Sequence, residues 1–563
     1  MIFAPRKKET SRPERDKLLL FQNQKFNNEK ENIGHVPKNI FQTWHTLDLP
    51  KQMQESVDNL KTLHSDFQHF LYDDEMCRKF LVDNFPDIVV YTFDKLKPGA
   101  YKSDLWRYCV LFIHGGIYLD IKYKCQGSFT FHKLLHQEHW TRDRYKRNSS
   151  DTPPFLGVYQ GCIICFPRND ILHRTICQVI YNVKNNIYGQ TDLYTTGPHL
   201  LTKHCFTNEE INGFDLSFNG NGIMYHGTQI LNYYSEYRDE QKQHQNTDYY
   251  AFMWYKKNIF HYPKLVPTEV FDLSRTITRN NINYFSSTPC ILKIENGYEI
   301  VLKWINYNYH EDGSKNVNRD SRKWRIMNSY FRCDDTFHQI GSEVYSEDRN
   351  IEDVRLFMYN HEIVYISCCD NELTKRVGCS GGIVEDLSTF FHSKRVLQKT
   401  FNNNKHEKNW VFCNLQGKLK VVYKWFPLTL CDIDFQKQII ENPTFKYMPK
   451  IFEQIRGSTC GIEYKDEIWF IVHITETYHT SNILYANYLH MYVIFDKNMD
   501  LLRYSEPFRF EGKRVEFCTS MHIEDNTIIL GYSLLDTTTI IAKYDMDIIR
   551  HSLRWYKNEV FIL

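Results

Sequence analysis

One short stretch, residues 101–125, constrains the fold more than any other part of this 563-residue chain. Apolar residues recur there at helical spacing until Gly115 and Gly116 stop the helix, and a run with period-two alternation follows. We expect Ser103 to cap the helix, with Asp104 in its first turn. A helix followed by a sharp stop and a strand predicts an α/β domain with polar side chains collected where the strand ends.

Charged side chains occupy regular positions in both halves of this stretch. Asp104 and Arg107 share a helical face because they are three residues apart, while Tyr118, Asp120 and Lys122 alternate along one face of the expected strand. Carboxylates accept hydrogen bonds from sugar hydroxyls, cations neutralise phosphate, and an aromatic ring stacks on a base. The set therefore points to a sugar joined to a diphosphate. A surface ion pair between the helical residues is the structural alternative.

The order of these residues resembles a known enzyme family. Ser-Asp-x-x-Arg-Tyr at 103–108, followed by Gly-Gly-Ile-Tyr-Leu-Asp-Ile at 115–121, is similar to glycosyltransferase family 32, the DXD sugar-binding region transferases. The resemblance covers roughly residues 35–262, a domain-sized span. It implies a GT-A-like, Rossmann-type fold and a retaining hexosyltransferase that uses a nucleotide-diphosphate sugar, such as a UDP- or GDP-hexose. The catalytic residues that it implies are Asp104, Arg107, Asp120 and Lys122.

The same resemblance gives these residues individual roles. Asp104 would hold hydroxyls of the donor sugar, Arg107 would contact the sugar or the diphosphate, and Asp120 would bind ribose or a metal. The residues expected around the donor and its nucleotide are Gln42, Trp44, Tyr118 and Trp254. A tryptophan packed in the core at a strand end is the structural alternative for Trp44.

Residue 122 departs from the family pattern. A DXD motif has a second carboxylate at this position, where it binds the divalent cation that neutralises the leaving diphosphate, but this chain has Lys122. This lysine weakens the expectation of a Mn²⁺ or Mg²⁺ cofactor. Either Lys122 supplies the positive charge itself, or Asp120 holds the metal with another group such as Asp248 while Lys122 points at phosphate. Loss of catalysis is the third alternative.

Strands and helices alternate around this stretch. The pattern predicts strands at 36–44, 67–72 and 161–167, with helices between them, and hence a mostly parallel sheet that binds ligands at the carboxyl ends of its strands. Thr-Thr-Gly-Pro at 195–198 matches a Thr-Gly-Pro element of the family and is expected on the acceptor side. A plain helix start at Pro198 is the alternative.

The pattern changes after residue 265. Short β-type runs separated by Gly, Asn and Asp fill the remaining 298 residues (563 minus 265). This density of strands predicts an all-β propeller of about five blades with roughly 60 residues each. The domains expected from sequence are a polar N-terminal tail at 1–32, the GT-A-type domain at 33–265 and the propeller at 266–563.

Short phrases in this second half resemble, in order, the five-bladed propellers of glycoside hydrolase family 130. They lie at 352–356, 407–410, 456–459, 469–473 and 515–518. The resemblance implies a sugar- or anion-binding pocket on the inner strands, formed by Asp353, Arg355, Lys408, Arg456 and His473. Glycoside hydrolysis needs two placed carboxylates, for which Asp353, Glu407 and Glu516 are available. A sugar-binding or purely structural propeller is the alternative.

Composition narrows the partners and the compartment. The net charge of +1 disfavours a nucleic-acid binder, and no apolar run reaches the ~18–20 residues that span a bilayer. Sixteen cysteines without regular spacing and without a preceding secretory signal predict reduced thiols in the cytoplasm. The Asn-, Lys-, Ile- and Tyr-rich composition is typical of an AT-rich genome. Such a composition fits a protein of a microbe or of a large DNA virus. A viral protein would be expected in the host cytoplasm or in the virion.

These observations predict a two-domain, carbohydrate-active protein. The first domain would transfer a hexose from a nucleotide-diphosphate sugar to a glycan or protein acceptor, and the propeller would bind or process carbohydrate. One alternative is a bifunctional chain whose propeller is a glycoside phosphorylase or hydrolase. Another is a non-catalytic sugar-binding protein.

Overall fold

The computed structural model describes residues 34–143, 157–317, 325–346, 351–371, 376–388, 395–402 and 407–557. These residues form two compact units, which are divided between His261 and Tyr262. The tail expected at 1–32 lies outside the described residues. Within the described part of the chain, no helix combines the length and the apolar character needed to cross a membrane.

The N-terminal unit is built from alternating helices and strands. Its strands are β1 (Asn39–Thr43), β2 (Gln68–Tyr72), β3 (Gly116–Leu119), β4 (Tyr123–Cys125), β5 (His139–Arg142), β6 (Val158–Cys165), β7 (Leu216–Phe218), β8 (Gly222–Tyr225) and β9 (Thr228–Tyr233). Its helices are α1 (Lys51–Leu63), α2 (Asp74–Asn84), α3 (Asp87–Lys95), α4 (Gly99–His114), α5 (Asp170–Lys184), α6 (Pro198–Cys205), α7 (Asn208–Asn212), α8 (Tyr237–His244) and α9 (Tyr250–Tyr255).

The strands of this unit form one mixed sheet in the order β2-β1-β3-β6-β5-β7-β8-β9-β4. Strands β2, β1 and β3 run parallel to one another, as do β5 and β7. The other neighbouring strands are antiparallel. The prediction of a mostly parallel sheet is therefore wrong. Parallel neighbours need long crossovers, which α1 and α2–α4 supply, whereas β7, β8 and β9 follow one another through short turns.

Helix α4 begins earlier than predicted. It starts at Gly99, directly after Pro98, so Ser103 lies inside the helix and does not cap it. The buried Tyr101 explains the difference, because its hydroxyl donates to the backbone oxygen of Asp192 and holds the first turn against the loop that follows α5. The carboxyl end is as predicted, with Gly115 at the C-cap and a φ of 60°.

Gly115 and Gly116 turn the chain from α4 into β3. Both have positive φ, and a Cβ on Gly115 would lie 2.6 Å from Pro167, while one on Gly116 would lie 2.7 Å from the backbone oxygen of Asn39. Only glycine fits these two positions. The tight reversal places β3 beside β1, with Phe41 opposite Tyr118. The carboxyl end of β3 therefore lies next to the first turns of α4.

Strand β3 is shorter than the alternation predicted. It ends at Leu119, and Asp120 begins a turn in which the backbone N–H of Tyr123 donates to the backbone oxygen of Asp120 at 3.1 Å. The turn leads the chain to β4, which pairs with β9 at the far end of the sheet. Asp120 and Lys122 are thus turn residues beyond the strand, and not members of a strand face.

The C-terminal unit consists almost wholly of strands. They are β10 (Glu269–Asp272), β11 (Thr276–Arg279), β12 (Ile282–Ile294), β13 (Gly297–Ile305), β14 (Tyr307–Tyr309), β15 (Lys315–Val317), β16 (Ile326–Cys333), β17 (Gln339–Tyr345), β18 (Ile351–Tyr359), β19 (Glu362–Asn371), β20 (Arg376–Ile383), β21 (Gln398–Lys399), β22 (Val411–Leu415), β23 (Lys418–Trp425), β24 (Leu428–Asp434), β25 (Ile439–Lys446), β26 (Ile455–Gly457), β27 (Ile462–Tyr464), β28 (Glu467–Thr480), β29 (Ile483–Asp496), β30 (Leu501–Ser505), β31 (Glu516–Glu524), β32 (Thr527–Leu534), β33 (Thr538–Asp545) and β34 (Trp555–Lys557). One helix, α10 (Met546–Ser552), follows β33.

Five of the sheets in this unit form a closed, propeller-like ring. They are β11-β12-β13-β16-β17, β18-β19-β20, β21-β25-β24-β23-β22, β26-β28-β29-β30-β34 and β10-β33-β32-β31. Strand β12 packs against β31 and β18, β18 against β22, β23 against β26, and β28 against β31. The last sheet joins β10, near the start of the unit, to β33, near its end, so strand pairing closes the ring. The expected all-β, five-bladed arrangement is confirmed.

One buried histidine makes the stability of this ring depend on pH. His490 on β29 lies directly opposite His473 on β28 and is fully buried. Neither ring nitrogen of His490 has a hydrogen-bond partner among the described residues. Burial, reinforced by the Arg509 guanidinium, lowers the pKa of His490 from 6.5 to about 3. The folded chain therefore holds this imidazole neutral.

We predict that replacing this histidine flattens the acid side of the stability profile. As the pH falls below 6.5, His490 becomes protonated in the unfolded chain, whereas in the folded chain it stays neutral until about pH 3. The free energy of unfolding should therefore drop by about 1.4 kcal/mol per pH unit on account of this group alone. His490→Phe should lose that contribution, whereas His479→Phe, at an exposed position of β28, should keep it. Urea unfolding between pH 5 and 7 measures the slopes, and equal slopes for His490→Phe and wild type would contradict the assignment.

Candidate functional site

A cavity of about 370 Å³ opens at the carboxyl ends of β1 and β3. Its walls come from the first turns of α4, the start of β6, the loop before α6, helix α8 and the segment before α9. It is called the cleft below. The sequence-predicted site residues that line it are Trp44, Asp104, Arg107, Tyr118, Asp120, Lys122 and Asp248.

Asp104 is held on both carboxylate oxygens. The hydroxyl of Thr196 donates to Oδ2 at 2.8 Å, and Arg107 Nη2 lies 3.2 Å from Oδ1. Burial raises the pKa of this carboxyl to about 6, although Arg107 and Thr196 act in the opposite direction. The side chain remains a wall of the cleft, so its oxygens are placed to accept hydrogen bonds from a bound hydroxyl.

The Arg107 guanidinium lies between the two acidic residues of the cleft. Its plane lies over the ring of Tyr118, 4.4 Å from the ring centre, and Nη1 donates to the backbone oxygen of Gln160 at 3.1 Å. The same nitrogen is 3.6 Å from Asp120 Oδ1. A guanidinium stacked on an aromatic ring and tied to the backbone has little freedom to move. Arg107 is therefore a fixed positive charge.

Asp120 is neutralised from two sides. The hydroxyl of Tyr118 donates to Oδ1 at 3.0 Å, and Lys122 Nζ lies 2.7 Å from Oδ2. Burial on its own would raise the pKa of Asp120, but the Lys122 ammonium and the Arg107 guanidinium outweigh it and lower that pKa to about 2. Gly161 makes this placement possible, because a Cβ there would lie 2.7 Å from Asp120 Oδ2.

The Lys122 ammonium is surrounded by aromatic rings. Its Nζ lies 5.4, 5.5 and 5.0 Å from the ring centres of Tyr123, Tyr159 and Tyr233, a group named the tyrosine cage below. These distances are within the range of cation–π attraction. Burial would lower the pKa of Lys122, but the charge of Asp120 outweighs it and raises that pKa. Lys122 is therefore a charged lysine that is largely shielded from solvent.

A divalent cation does not fit the residues at this point. It would need to bind Asp120, but the Lys122 ammonium already lies against Oδ2 and the Arg107 guanidinium faces Oδ1. A cation brought to the roughly 2.1 Å of a metal–carboxylate bond would be strongly repelled by both charges. Asp248, the other predicted ligand, is an exposed residue of the cleft wall.

Two predicted nucleotide-binding residues lie outside the cleft lining. Gln42 is buried on the opposite face of β1 from Thr43, where its side-chain oxygen contacts His69 Nε2 at 2.9 Å. The indole N–H of Trp254 donates to the backbone oxygen of Tyr188 at 2.8 Å, and Lys257 lies over the indole ring. Alternation along β1 explains the first case, because the Gln-Thr pair presents only one of its side chains to the cleft.

Some residues of the site were not predicted from sequence. Tyr159 and Gln160 contact the charged groups from β6, and Thr196, expected on the acceptor side, donates a hydrogen bond to Asp104. The available signal was Gly161 near the start of an apolar strand, since glycine in a strand often marks a close approach of another group. The Asp120 side chain that approaches this glycine is distant from it in sequence, so the sequence does not predict the contact.

Two of the predicted propeller residues, Asp353 and Arg355, form hydrogen bonds and ion pairs with other groups of the ring. Lys303 Nζ pairs with Asp353 Oδ1 at 2.9 Å, and both side chains are buried. The buried Arg355 guanidinium donates to the backbone oxygens of Ser458, Asp353 and Gly457 and to Asn409 Oδ1. These contacts satisfy the two residues internally.

The other three propeller residues differ in exposure. His473 is buried, and its Nδ1 lies 2.9 Å from the hydroxyl of Ser458. Burial, with nearby positive charges, lowers its pKa well below the usual value. Lys408 is partly exposed and lies 3.7 Å from Glu352, while Arg456 is exposed. The charges of Arg456, Arg355 and Lys408 all act on His473, and those of Lys408 and Arg355 act on Asp353, so the five residues lie in one region of the ring. A sugar- or anion-binding pocket formed by them stays a prediction.

The remaining acidic candidates of the propeller are also held by protein groups. Glu516 accepts from the backbone N–H groups of Phe510, Glu511 and Lys513 at 2.7–2.9 Å. Glu407 accepts from the Tyr423 hydroxyl at 2.9 Å and pairs with Lys399. Both carboxylates therefore form hydrogen bonds or ion pairs within the ring.

Comparison with known proteins identifies the motif of the cleft. The family model described as "Glycosyltransferase sugar-binding region containing DXD motif" matches residues 50–141. Inositol phosphoceramide mannosyltransferase 3 of Schizosaccharomyces pombe is 28% identical over 172 residues, which are 30% of this chain and 44% of that protein. Inositol phosphoceramide mannosyltransferase 2 of the same organism is 35% identical over 107 residues, 19% of this chain and 30% of that protein. This chain thus spans less than half the length of these relatives.

One solved structure has a limited similarity to this chain. The β-1,2-mannobiose phosphorylase of Listeria innocua is 10% identical with a TM-score of 0.37, covering 51% of this chain and 99% of that one. The ring of five sheets rests on the strand pairing described above. Residues 50–141 of the N-terminal unit are thus similar to the DXD sugar-binding region of glycosyltransferases, and this segment contains Asp104, Arg107, Asp120 and Lys122.

Proposed function

We propose that the N-terminal unit is a hexosyltransferase that uses a nucleotide-diphosphate sugar. The observation that carries the proposal is the arrangement of Asp104 and Arg107 in the cleft. One carboxylate, fixed by Thr196 and by the guanidinium, borders the same cavity as two positive charges, the buried Arg107 and the largely shielded Lys122. A donor sugar needs acceptors for its hydroxyls, and its diphosphate needs cations.

Each group of the cleft has a part in this proposal. Asp104 accepts hydrogen bonds from sugar hydroxyls, Arg107 and Lys122 face the diphosphate, and Asp120 keeps these two cations in place. Trp44 lines the same cleft and offers an aromatic surface for the base. The acceptor is a glycan, a protein or a lipid headgroup with a free hydroxyl.

The reaction that these groups support is a displacement at the anomeric carbon. The acceptor oxygen forms a bond to that carbon, the bond from the carbon to the diphosphate oxygen breaks, and the diphosphate leaves with the electron pair. In the retaining route implied by family 32, the acceptor attacks from the face of the leaving group, which takes up the acceptor proton. Positioning and charge stabilisation supply the rate, because no covalent nucleophile is required.

The names of the relatives guide the choice of substrates. Several are mannosyltransferases, and those of Schizosaccharomyces pombe described above are named for inositol phosphoceramide. We therefore propose mannose as the sugar and place inositol-bearing lipids beside glycans among the acceptors to be tested. Nucleic acid has no place in this proposal, since the net charge of the chain is +1.

We predict that Asp104→Asn lowers donor turnover by about 100-fold or more, because the amide removes the charge and half of the acceptor capacity at the sugar. Thr196→Val should cost less, about 10-fold, since it frees the carboxylate without removing it. Asp83→Asn, at an exposed position of α2 paired with Lys79, is the matched control and should be unchanged. The measurement is sugar release and transfer from a panel of GDP- and UDP-hexoses by the full chain. Full turnover in Asp104→Asn would contradict the proposal.

We further propose that the propeller binds carbohydrate and does not cleave it. The observation is that Asp353, Glu407 and Glu516 are each held by cations, hydroxyls or backbone N–H groups of the ring. A hydrolase or phosphorylase needs carboxyl groups that can exchange protons with a substrate. Lys408, which lies 3.7 Å from Glu352, and Tyr488, which packs against a buried cluster, are instead partly exposed groups of the ring.

This second proposal predicts binding of glycan without cleavage. The full chain should release no sugar 1-phosphate from β-mannosides in phosphate buffer and should still bind immobilised mannan when Asp104 is replaced by Asn. Lys408→Met should weaken the binding, while Lys437→Met, at an exposed turn, should not. Phosphate-dependent release that survives Asp104→Asn would instead establish the bifunctional alternative, and loss of all glycan binding in Asp104→Asn would remove the binding role of the propeller.

A further inference from the structure

We propose that Lys122 takes the place of the divalent cation, so that the donor diphosphate is neutralised by protein cations alone. This inference rests on the function proposed above for the cleft. It concerns a property in which the chain departs from the DXD motif of its matched region, where a second acidic residue stands at this position. The geometry around Asp120 carries it.

Both carboxylate oxygens of Asp120 already have partners. Oδ2 is 2.7 Å from Lys122 Nζ, and Oδ1 accepts from the Tyr118 hydroxyl at 3.0 Å while facing Arg107 Nη1 at 3.6 Å. A metal ion bound to Asp120 would displace one of these partners. Displacing the buried ammonium would leave it without its carboxylate, which is costly for a buried charge.

The Lys122 ammonium has a fixed position. A lysine side chain normally has many rotamers, but the tyrosine cage surrounds this one with three rings at 5.0–5.5 Å. The cage itself is rigid, because Tyr123 donates to the Tyr159 hydroxyl at 2.8 Å and lies opposite Tyr233 across β4 and β9. An ordered, desolvated ammonium is ready to receive an anion without further loss of conformational entropy.

The net charge of the site is the same as that of a DXD site with its metal ion bound. In a DXD arrangement, three carboxylates and one arginine with a divalent ion sum to zero. Here Asp104, Asp120, Arg107 and Lys122 also sum to zero. Changing the second acidic residue to lysine alters the charge by two, which is the charge of the missing ion. The cleft thus offers the diphosphate the same electrostatic balance with one ion fewer.

The test compares nucleoside diphosphate binding with and without metal. GDP and UDP are titrated calorimetrically into the full chain in EDTA and in Mn²⁺, and turnover of the GDP- and UDP-hexoses is followed in the same buffers. We expect wild type to bind and turn over in EDTA, with a change of less than about twofold on adding Mn²⁺. Lys122→Met should weaken binding by at least about 10-fold in both buffers. Lys122→Arg should retain most of it.

A gain of metal dependence gives the sharpest variant. Lys122→Asp restores the DXD motif, so its binding and turnover should be lost in EDTA and recovered in Mn²⁺. Lys124→Met, an exposed lysine two residues further along β4, is the matched control and should behave as wild type. If Lys122→Met fails to fold, the wild-type comparison of EDTA with Mn²⁺ decides the question by itself.

The failures of the two proposals are distinguishable. Wild-type binding that requires Mn²⁺, or unchanged binding by Lys122→Met in EDTA, overturns the role of Lys122 and leaves the transferase proposal standing. No binding of GDP, UDP or their hexose sugars in either buffer overturns both. Binding in EDTA that is lost only in Lys122→Met and Lys122→Asp supports both.

Discussion

A largely buried line of alternating charges, from Asp104 through Arg107 and Asp120 to Lys122, is the constraint on which the N-terminal unit depends. Each charge in it is costly to bury alone, and each is offset by an opposite neighbour within 2.7–3.6 Å. The line joins the first turns of α4 to the turn after β3, so it forms only if these two places come together. Glycine at 115 and 116 brings them together, and Gly161 leaves room for the Asp120 carboxylate.

The sequence predicted this line better than its surroundings. Helical spacing gave the shared face of Asp104 and Arg107, and the glycine pair gave the end of α4. The alternation of Tyr118, Asp120 and Lys122 predicted that the three residues lie close together, and all three line the cleft. The predicted cause was wrong, because Asp120 and Lys122 lie in a turn and not on a strand face. Local signals could not show the start of α4, which depends on a contact between Tyr101 and the distant Asp192. Local signals also could not show the tyrosine cage, because its three rings lie on three separate strands, β4, β6 and β9.

For the ring of sheets, the sequence predicts the fold better than the contacts of the proposed site residues. The all-β pattern and its five sheets could be predicted from the density of strands and turns, but the internal partners of the proposed pocket residues could not. Arg355 and Asp353 look like ligand-binding residues in sequence, yet their polar atoms are satisfied by Ser458, Asn409 and Lys303. The inner strands need buried polar groups to satisfy their own irregular ends, and sequence alone does not separate that need from ligand binding.

The most direct test of the account is the position of a nucleotide sugar bound to the full chain, determined crystallographically with GDP-mannose or UDP-glucose in EDTA. The account predicts a sugar with its hydroxyls on Asp104 and a diphosphate within about 4 Å of Lys122 Nζ and the Arg107 guanidinium. A nucleotide sugar bound outside the cleft, or one that enters the cleft only together with a divalent ion on Asp120, would contradict it.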